Sequence, residues 1–111
     1  MGKYTPPAVT FHDVVGALPA LPMPLACVVV IRPTKGTSQR VYAAVELLYY
    51  DVKGSQTPYK RWGKDVRAGS APEVMKALLL AAQEAFLFCE DKDPVELTRF
   101  IEWQLDKPRT Y

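Results

Sequence analysis

Apolar and polar positions alternate along this chain in two different periods, and each period predicts a different element. Residues 25–32 (LACVVVIR) are a short β-branched apolar run, the pattern of a buried strand. Residues 40–50 (RVYAAVELLYY) alternate with a period of two. Val41, Ala43, Val45, Leu47 and Tyr49 then share one face, and Tyr42, Ala44, Glu46, Leu48 and Tyr50 the other. Residues 58–67 (PYKRWGKDVR) predict a third strand, bent near Gly63. Pro33-Thr34-Lys35-Gly36 and Asp51-Val52-Lys53-Gly54-Ser55 carry turn chemistry between the strands.

After Gly69 the period becomes helical. Ser70-Ala71-Pro72-Glu73 is a helix start, with Ser70 as cap and Glu73 placed to reach back to it. Val74, Met75, Leu78, Leu79, Ala82, Ala85 and Phe86 recur at spacings of three and four up to about Cys89. Leu80 and Leu87 fall off that stripe, so more than half of the circumference is apolar. One face is expected to pack on the sheet and another on the last helix or on a second subunit, which predicts a homodimer. Asp93-Pro94-Val95-Glu96 starts a second helix carrying Leu97, Phe100, Ile101 and Leu105 and ending before Pro108. The fold class expected is α+β: an antiparallel three- to four-stranded meander, with a long helix and a short C-terminal helix packed on one face.

Residues 1–24 hold Pro6, Pro7, Pro19, Pro22 and Pro24 and read as a proline-rich arm in which Phe11–Val15 form one helical turn. Residues 25–106 are expected to be the single domain and residues 107–111 a tail. With 111 residues, 49% hydrophobic and 23% charged, the chain has the composition of a folded domain. Cys27 and Cys89, both in apolar surroundings, suit buried free thiols better than a disulfide scaffold. No cysteine or histidine set has zinc spacing. No run reaches the length of a membrane span, and MGKYTPP lacks the apolar core of a signal peptide, so a cytoplasmic protein is expected.

Charge changes the picture more than composition does. The formal net charge of +2 conceals two halves. Residues 32–67 hold eight basic and three acidic residues, a balance of +5, while residues 68–106 hold three basic and eight acidic, a balance of −5. Aromatics are interleaved with the basic half. A base stacks on an aromatic face, and nearby lysine and arginine release counterions from phosphates. The candidate contacts are Arg40, Tyr42, Tyr50, Lys53, Tyr59, Lys60, Arg61, Trp62, Lys64 and Arg67, displayed on a sheet whose other face the helices cover. Single-stranded DNA or RNA is the partner this pattern predicts. The same residues also suit the wet face and protected edge of an ordinary antiparallel sheet.

Catalytic chemistry finds little support. A ribonuclease H-like core has the same strand-strand-strand-helix order but needs clustered carboxylates for two metal ions. Here the first strand has none, leaving Glu46 and Glu73 alone. His12-Asp13 has no accompanying nucleophile motif, and the glycines form no phosphate loop. The expectation is a protein that is not an enzyme and uses no cofactor or metal.

The stretch from Val41 to about Ala85 resembles the single-stranded-DNA-binding fold of the positive-cofactor-four coactivators and the plant Whirly proteins. The shared pattern is an alternating strand ending in aromatics and Asp (VYAAVELLYYD), a Lys/Gly loop (VKGSQTP), a basic strand with a glycine (YKRWGKDV), the helix start SAPE and a long apolar helix. The resemblance implies strand binding through Lys53, Lys60, Arg61, Trp62 and Lys64, and association through the helices. The double-stranded-RNA-binding domain shares the strand order, but its Lys-rich helix start is missing from SAPEVMK. The rival class is a protein-interaction or structural module, such as a viral or accessory protein docking through its sheet or its acidic helices.

Overall fold

The computed structural model describes residues 9–36 and 39–106. β1 (Leu25–Pro33), β2 (Arg40–Tyr50) and β3 (Gln56–Arg67) form one antiparallel sheet in the order β1-β2-β3. α1 (Phe11–Gly16) precedes the sheet, and α2 (Ala71–Glu90) and α3 (Pro94–Asp106) follow it. This is the α+β meander that the periodicities predict, with three strands among the described residues.

β2 lies in the middle, and its alternation sets the two faces of the sheet. Ala43 and Val45 pack with Val66 of β3 against Val74, Leu78 and the small residues Ala77, Ala81, Ala82 and Ala85 of α2. The alanines let the helix lie close to the sheet, where longer side chains would hold it off. Toward the other end of the strand Leu47 packs with Leu25, Cys89 and the buried Leu97 and Ile101 of α3. Both helices therefore cover the Val41-to-Tyr49 face. Cys89 is buried and Cys27 only half-buried, and both thiols are free. The neighbouring Cys89 thiol, together with burial, holds the Cys27 thiol above its ordinary range.

Two details of β3 differ from expectation. The irregularity lies before Gly63: Leu47 pairs with Lys60 but Leu48 with Pro58, leaving Tyr59 as the extra residue of a bulge. Pro58 has no N–H to give to a ladder, and an edge strand with a bulge accommodates that loss. Gly63 keeps regular register opposite Ala44 and serves a close approach instead. A Cβ there would press on the Ala43 carbonyl oxygen and stand 2.5 Å from the Ala44 Cβ. At the β2–β3 turn, Asp51 Oδ1 accepts the N–H groups of Lys53 and Ser55, each at 2.9 Å, and Gly54 takes φ +85°.

The proline-rich lead-in, where described, packs onto the domain. Val14 of α1 is fully buried in the α2 core, with Val9, Ala17 and Leu18 packed beside it, so the boundary expected at residue 24 is not a packing boundary. Thr10 and Asp13 form a reciprocal capping box: the Asp13 N–H donates to Thr10 Oγ1 at 3.2 Å and the Thr10 N–H to Asp13 Oδ2 at 2.8 Å. Residues 1–8 and the expected tail 107–111 lie outside the described residues.

At α2, Ser70 Oγ accepts the Glu73 N–H at 3.4 Å, as its position predicts. The Ser70 N–H donates to the Arg67 carbonyl, so Glu73 is not needed as its acceptor. Phe86, expected on the packed stripe, is 44% exposed and joins Leu80 and Leu87 on the outer surface.

Two outcomes follow from these contacts. Gly63→Ala should lower stability by about 3 kcal/mol, because the added methyl meets backbone as well as side chain; urea unfolding with an unchanged midpoint would contradict the close approach. The Asp13 carboxyl is held below the usual aspartate range, first by the Thr10 backbone N–H and then by the Thr10 hydroxyl. A depressed folded-state pKa gives a contribution that is complete above the unfolded aspartate value and is lost as pH falls through the folded one. The protection of α1 amides, measured against their intrinsic exchange rates, should therefore fall under acid before that of the β2 amides does, and Asp13→Asn should remove that pH dependence.

Candidate nucleic-acid interface

Register assigns each candidate residue to a side of the sheet. Tyr42 and Tyr50 of β2 lie on the face the helices leave open, and so do Arg61 (opposite Glu46), Gly63 (opposite Ala44) and the facing pair Arg40 and Arg67. Across β1 the same face carries Ala26, Val28, Val30 and Arg32, which stand opposite Leu48, Glu46, Ala44 and Tyr42. The open face is thus an aliphatic floor with tyrosines toward its two ends, arginines along it and Asp65 opposite Tyr42. Tyr42 and Tyr50 are eight residues apart, about 26 Å along an extended strand.

The centre of this face is a charge cluster. Glu46 is buried although no helix among the described residues covers it, its side chain only 3% exposed. Arg32 Nη2 donates to Glu46 Oε1 at 2.8 Å, and Arg61 Nη2 stands 3.6 Å from Oε2. Arg32 pairs with Tyr42 in register, so its side chain must pass over Ala44 to reach Glu46. Ala44 and Glu46 are both buried on this face. A buried carboxylate is tolerated only when paired. Here one oxygen has a short charge-assisted bond, while Oε2 has no hydrogen bond. Each arginine side chain remains about half exposed, which leaves N–H donors directed to solvent. One carboxylate between two guanidiniums leaves the cluster with a net charge of +1.

The remaining candidates lie elsewhere, which corrects the single sheet-face cluster expected from Tyr59 to Lys64. Trp62 pairs with Val45 and turns to the helix side, its ring 5.4 Å from that of Phe88 on α2. Lys60 Nζ sits 4.9 Å from the Phe88 ring centroid and 5.9 Å from that of Trp62. Lys92 Nζ lies over the same Phe88 ring at 4.0 Å and donates to the Phe88 carbonyl at 2.7 Å. Tyr59 packs on the Leu25–Leu47–Cys89 cluster. Lys64 pairs with Ala43 and points to the helix-side edge beside α2. Lys53 lies in the β2–β3 turn, at the opposite end of the sheet from Arg40 and Arg67.

Comparison with protein-family models, with curated proteins and with solved structures finds no match. Function must therefore be read from the site itself. Arg32 and Glu46 are the residues that sequence reasoning missed as a binding element. Neither carries a motif. The pairing emerges only once the β1–β2 hairpin fixes which residues share a face.

Among the described residues, no group of three or more His, Cys, Asp or Glu could hold a metal ion, and no helix is long and apolar enough to cross a membrane.

The placement of Trp62 has a measurable consequence. Trp62→Ala should destabilise the fold by about 3 kcal/mol by removing its packing against Phe88 and the core. Thermal unfolding that leaves the midpoint unchanged would contradict its packing role.

Proposed function

We propose that this protein is a non-enzymatic, cytoplasmic nucleic-acid-binding module that takes a single strand across the open face of the sheet. One observation carries the proposal above the others. The face that no helix among the described residues covers combines two tyrosines, an aliphatic floor and two half-exposed guanidiniums paired with a buried carboxylate. Bases have apolar faces that stack on tyrosine and rest on aliphatic side chains, while phosphates take the outward N–H donors of Arg32 and Arg61. Arg40 and Arg67 extend the positive charge to one end. The acidic helices lie on the other side and repel a polyanion there, which favours one binding face. The pattern resemblance to the positive-cofactor-four and Whirly fold agrees with this function. The face employed here, though, uses Tyr42, Tyr50, Arg32 and Arg61 rather than Trp62.

A second specific observation favours self-association as part of the same proposal. Phe86 and Leu87 of α2 are exposed beside Gly16 at the end of α1 and Ala17, which caps it, around an apolar groove, with Phe11 and Val15 exposed on α1 itself. Pairing of two copies through α1 and α2 would cover these side chains and leave both sheets free. The competing class, docking of another protein on the helical side, would use these residues or Phe100 and Trp103 of α3, which are exposed 6.0 Å apart.

Fluorescence anisotropy with a labelled oligothymidylate tests the binding. At about 50 mM salt the protein should bind, and affinity should fall steeply toward about 200 mM as counterion release loses its advantage. Tyr42→Ala and Tyr50→Ala should each weaken binding by about 1–3 kcal/mol while leaving the salt slope nearly unchanged. Absence of binding at low salt would overturn the proposal, and salt-independent binding would remove its electrostatic part. Sedimentation of the protein alone should give a dimer that Leu87→Glu splits; a monomeric wild type would remove the self-association part.

A further inference from the structure

Where β3 passes into α2, the protein has an open cavity of about 380 Å³ with Val66 and Ala77 as its floor. Its rim carries four cations, Arg40, Lys64, Arg67 and Lys76, and two carboxylates, Asp65 and Glu73. These come from β2, β3 and the first turns of α2, so the fold rather than a local sequence run gathers them.

The cations converge without being neutralised. Arg40 and Arg67 stand directly opposite each other in the ladder, where like charges repel. Among the described residues, the ion pairs involve Arg32, Arg61 and Lys92, and none joins any of these four cations to a carboxylate. Arg40 donates to the Asp65 main-chain carbonyl at 3.2 Å, which orients its guanidinium without balancing its charge. Asp65 Oδ1 accepts the Thr34 hydroxyl at 2.7 Å. The start of α2 contributes little to this site. Pro72 has no N–H, and the Glu73 N–H is taken by Ser70 Oγ. Four cations and two carboxylates leave the cavity wall with a net charge of +2. That matches the charge of a phosphate group, about −1 as a backbone diester and −1.5 to −2 as a terminal monoester. Arginine forks and lysine point charges are the side chains suited to phosphate oxygens.

We propose that this cavity is a phosphate-anion site that holds a phosphate of the bound strand. It rests on the nucleic-acid function proposed above. Arg40 and Arg67 belong to the open face as well as to the cavity rim, so a strand leaving that face at this end meets the cavity next. Lys64 and Lys76, which the open face does not use, then act as phosphate ligands. Glu73 limits affinity by repulsion.

The test uses Lys64→Gln/Lys76→Gln and Glu73→Gln, all at exposed positions, with thermal midpoints checked to confirm folding. Anisotropy is read with 5′-phosphorylated and unphosphorylated oligothymidylate, and calorimetry with pyrophosphate. The double variant should bind the strand roughly tenfold more weakly at about 50 mM salt, with a log–log salt slope shallower by about 0.7 for each phosphate no longer held. Glu73→Gln should bind more tightly. A weakening seen only with the phosphorylated strand assigns the site to a terminal phosphate; an equal weakening with both assigns it to the backbone. If the wild type binds the strand and both variants match it in affinity and slope, the cavity is not a phosphate site while the open-face proposal survives. If the wild type ignores the strand but binds pyrophosphate, and the double variant abolishes that binding, the site stands for a small phosphorylated ligand and the nucleic-acid function falls. Binding of neither overturns both.

Discussion

Six consecutive residues of β2, Ala43 to Leu48, are buried, and the rest of the structure is arranged around that constraint. A central strand can be buried on both sides only if each side is covered by something. On the odd-numbered side the cover is α2 and α3, drawn in by the alanine-rich surface of α2 and by Leu97 and Ile101. On the even-numbered side no helix lies among the described residues. Cover there comes from the neighbouring strands themselves, with Val28 and Val30 on one flank, Gly63 flush against Ala44, and the arginine stems laid over the strand toward Glu46.

That second cover is unusual in its chemistry and connects the fold to its proposed use. A glutamate in the middle of a strand would ordinarily mark a wet face. Here it is buried because Arg32 and Arg61 converge on it from either side. The carboxylate restrains two long side chains that would otherwise lose rotamer freedom on meeting a ligand, so part of the ordering cost is met in the free protein. The result is one guanidinium, that of Arg32, held by a hydrogen bond over an aliphatic floor between two tyrosines, with that of Arg61 3.6 Å from the same carboxylate. Acidic groups concentrate on the helices instead. The separation of charge along the sequence carries over only in part: four arginines lie on the open face with Glu46 and Asp65, while Lys60 and Lys64 lie on the helix side.

Much of this was legible from residue patterns. The alternation of residues 40–50 assigned both faces of β2, and Ser70 and Asp93 marked the two helix starts where Ser70 Oγ and Asp93 Oδ1 do accept backbone N–H groups. β3 was harder to read. Its only well-buried residue is Val66, and the Tyr59 bulge breaks the alternation that would have told Trp62 from Arg61. Trp62 therefore looked like an open-face stacking residue, whereas it packs on Phe88, a neighbour 26 positions away in sequence that no local pattern encodes. The Arg32–Glu46 bond was hidden for the same reason, since it depends on hairpin register. The cavity at the β3–α2 junction needed three segments in place. Candidate residues gathered by sequence proximity were thus split between two sides, and a residue outside them, Arg32, joined the site.

The central claim is that the uncovered face of the sheet is the binding face. The most direct measurement is an amide chemical-shift map of the labelled protein titrated with a single-stranded oligonucleotide. Shifts concentrated at Val28–Arg32, Tyr42–Tyr50 and Arg61–Arg67, with Leu80, Phe86 and Leu87 of α2 and the outer face of α3 unmoved, are the predicted result. Shifts concentrated on Phe86, Leu87, Phe100 and Trp103, with Tyr42, Glu46 and Arg61 unchanged, would contradict it.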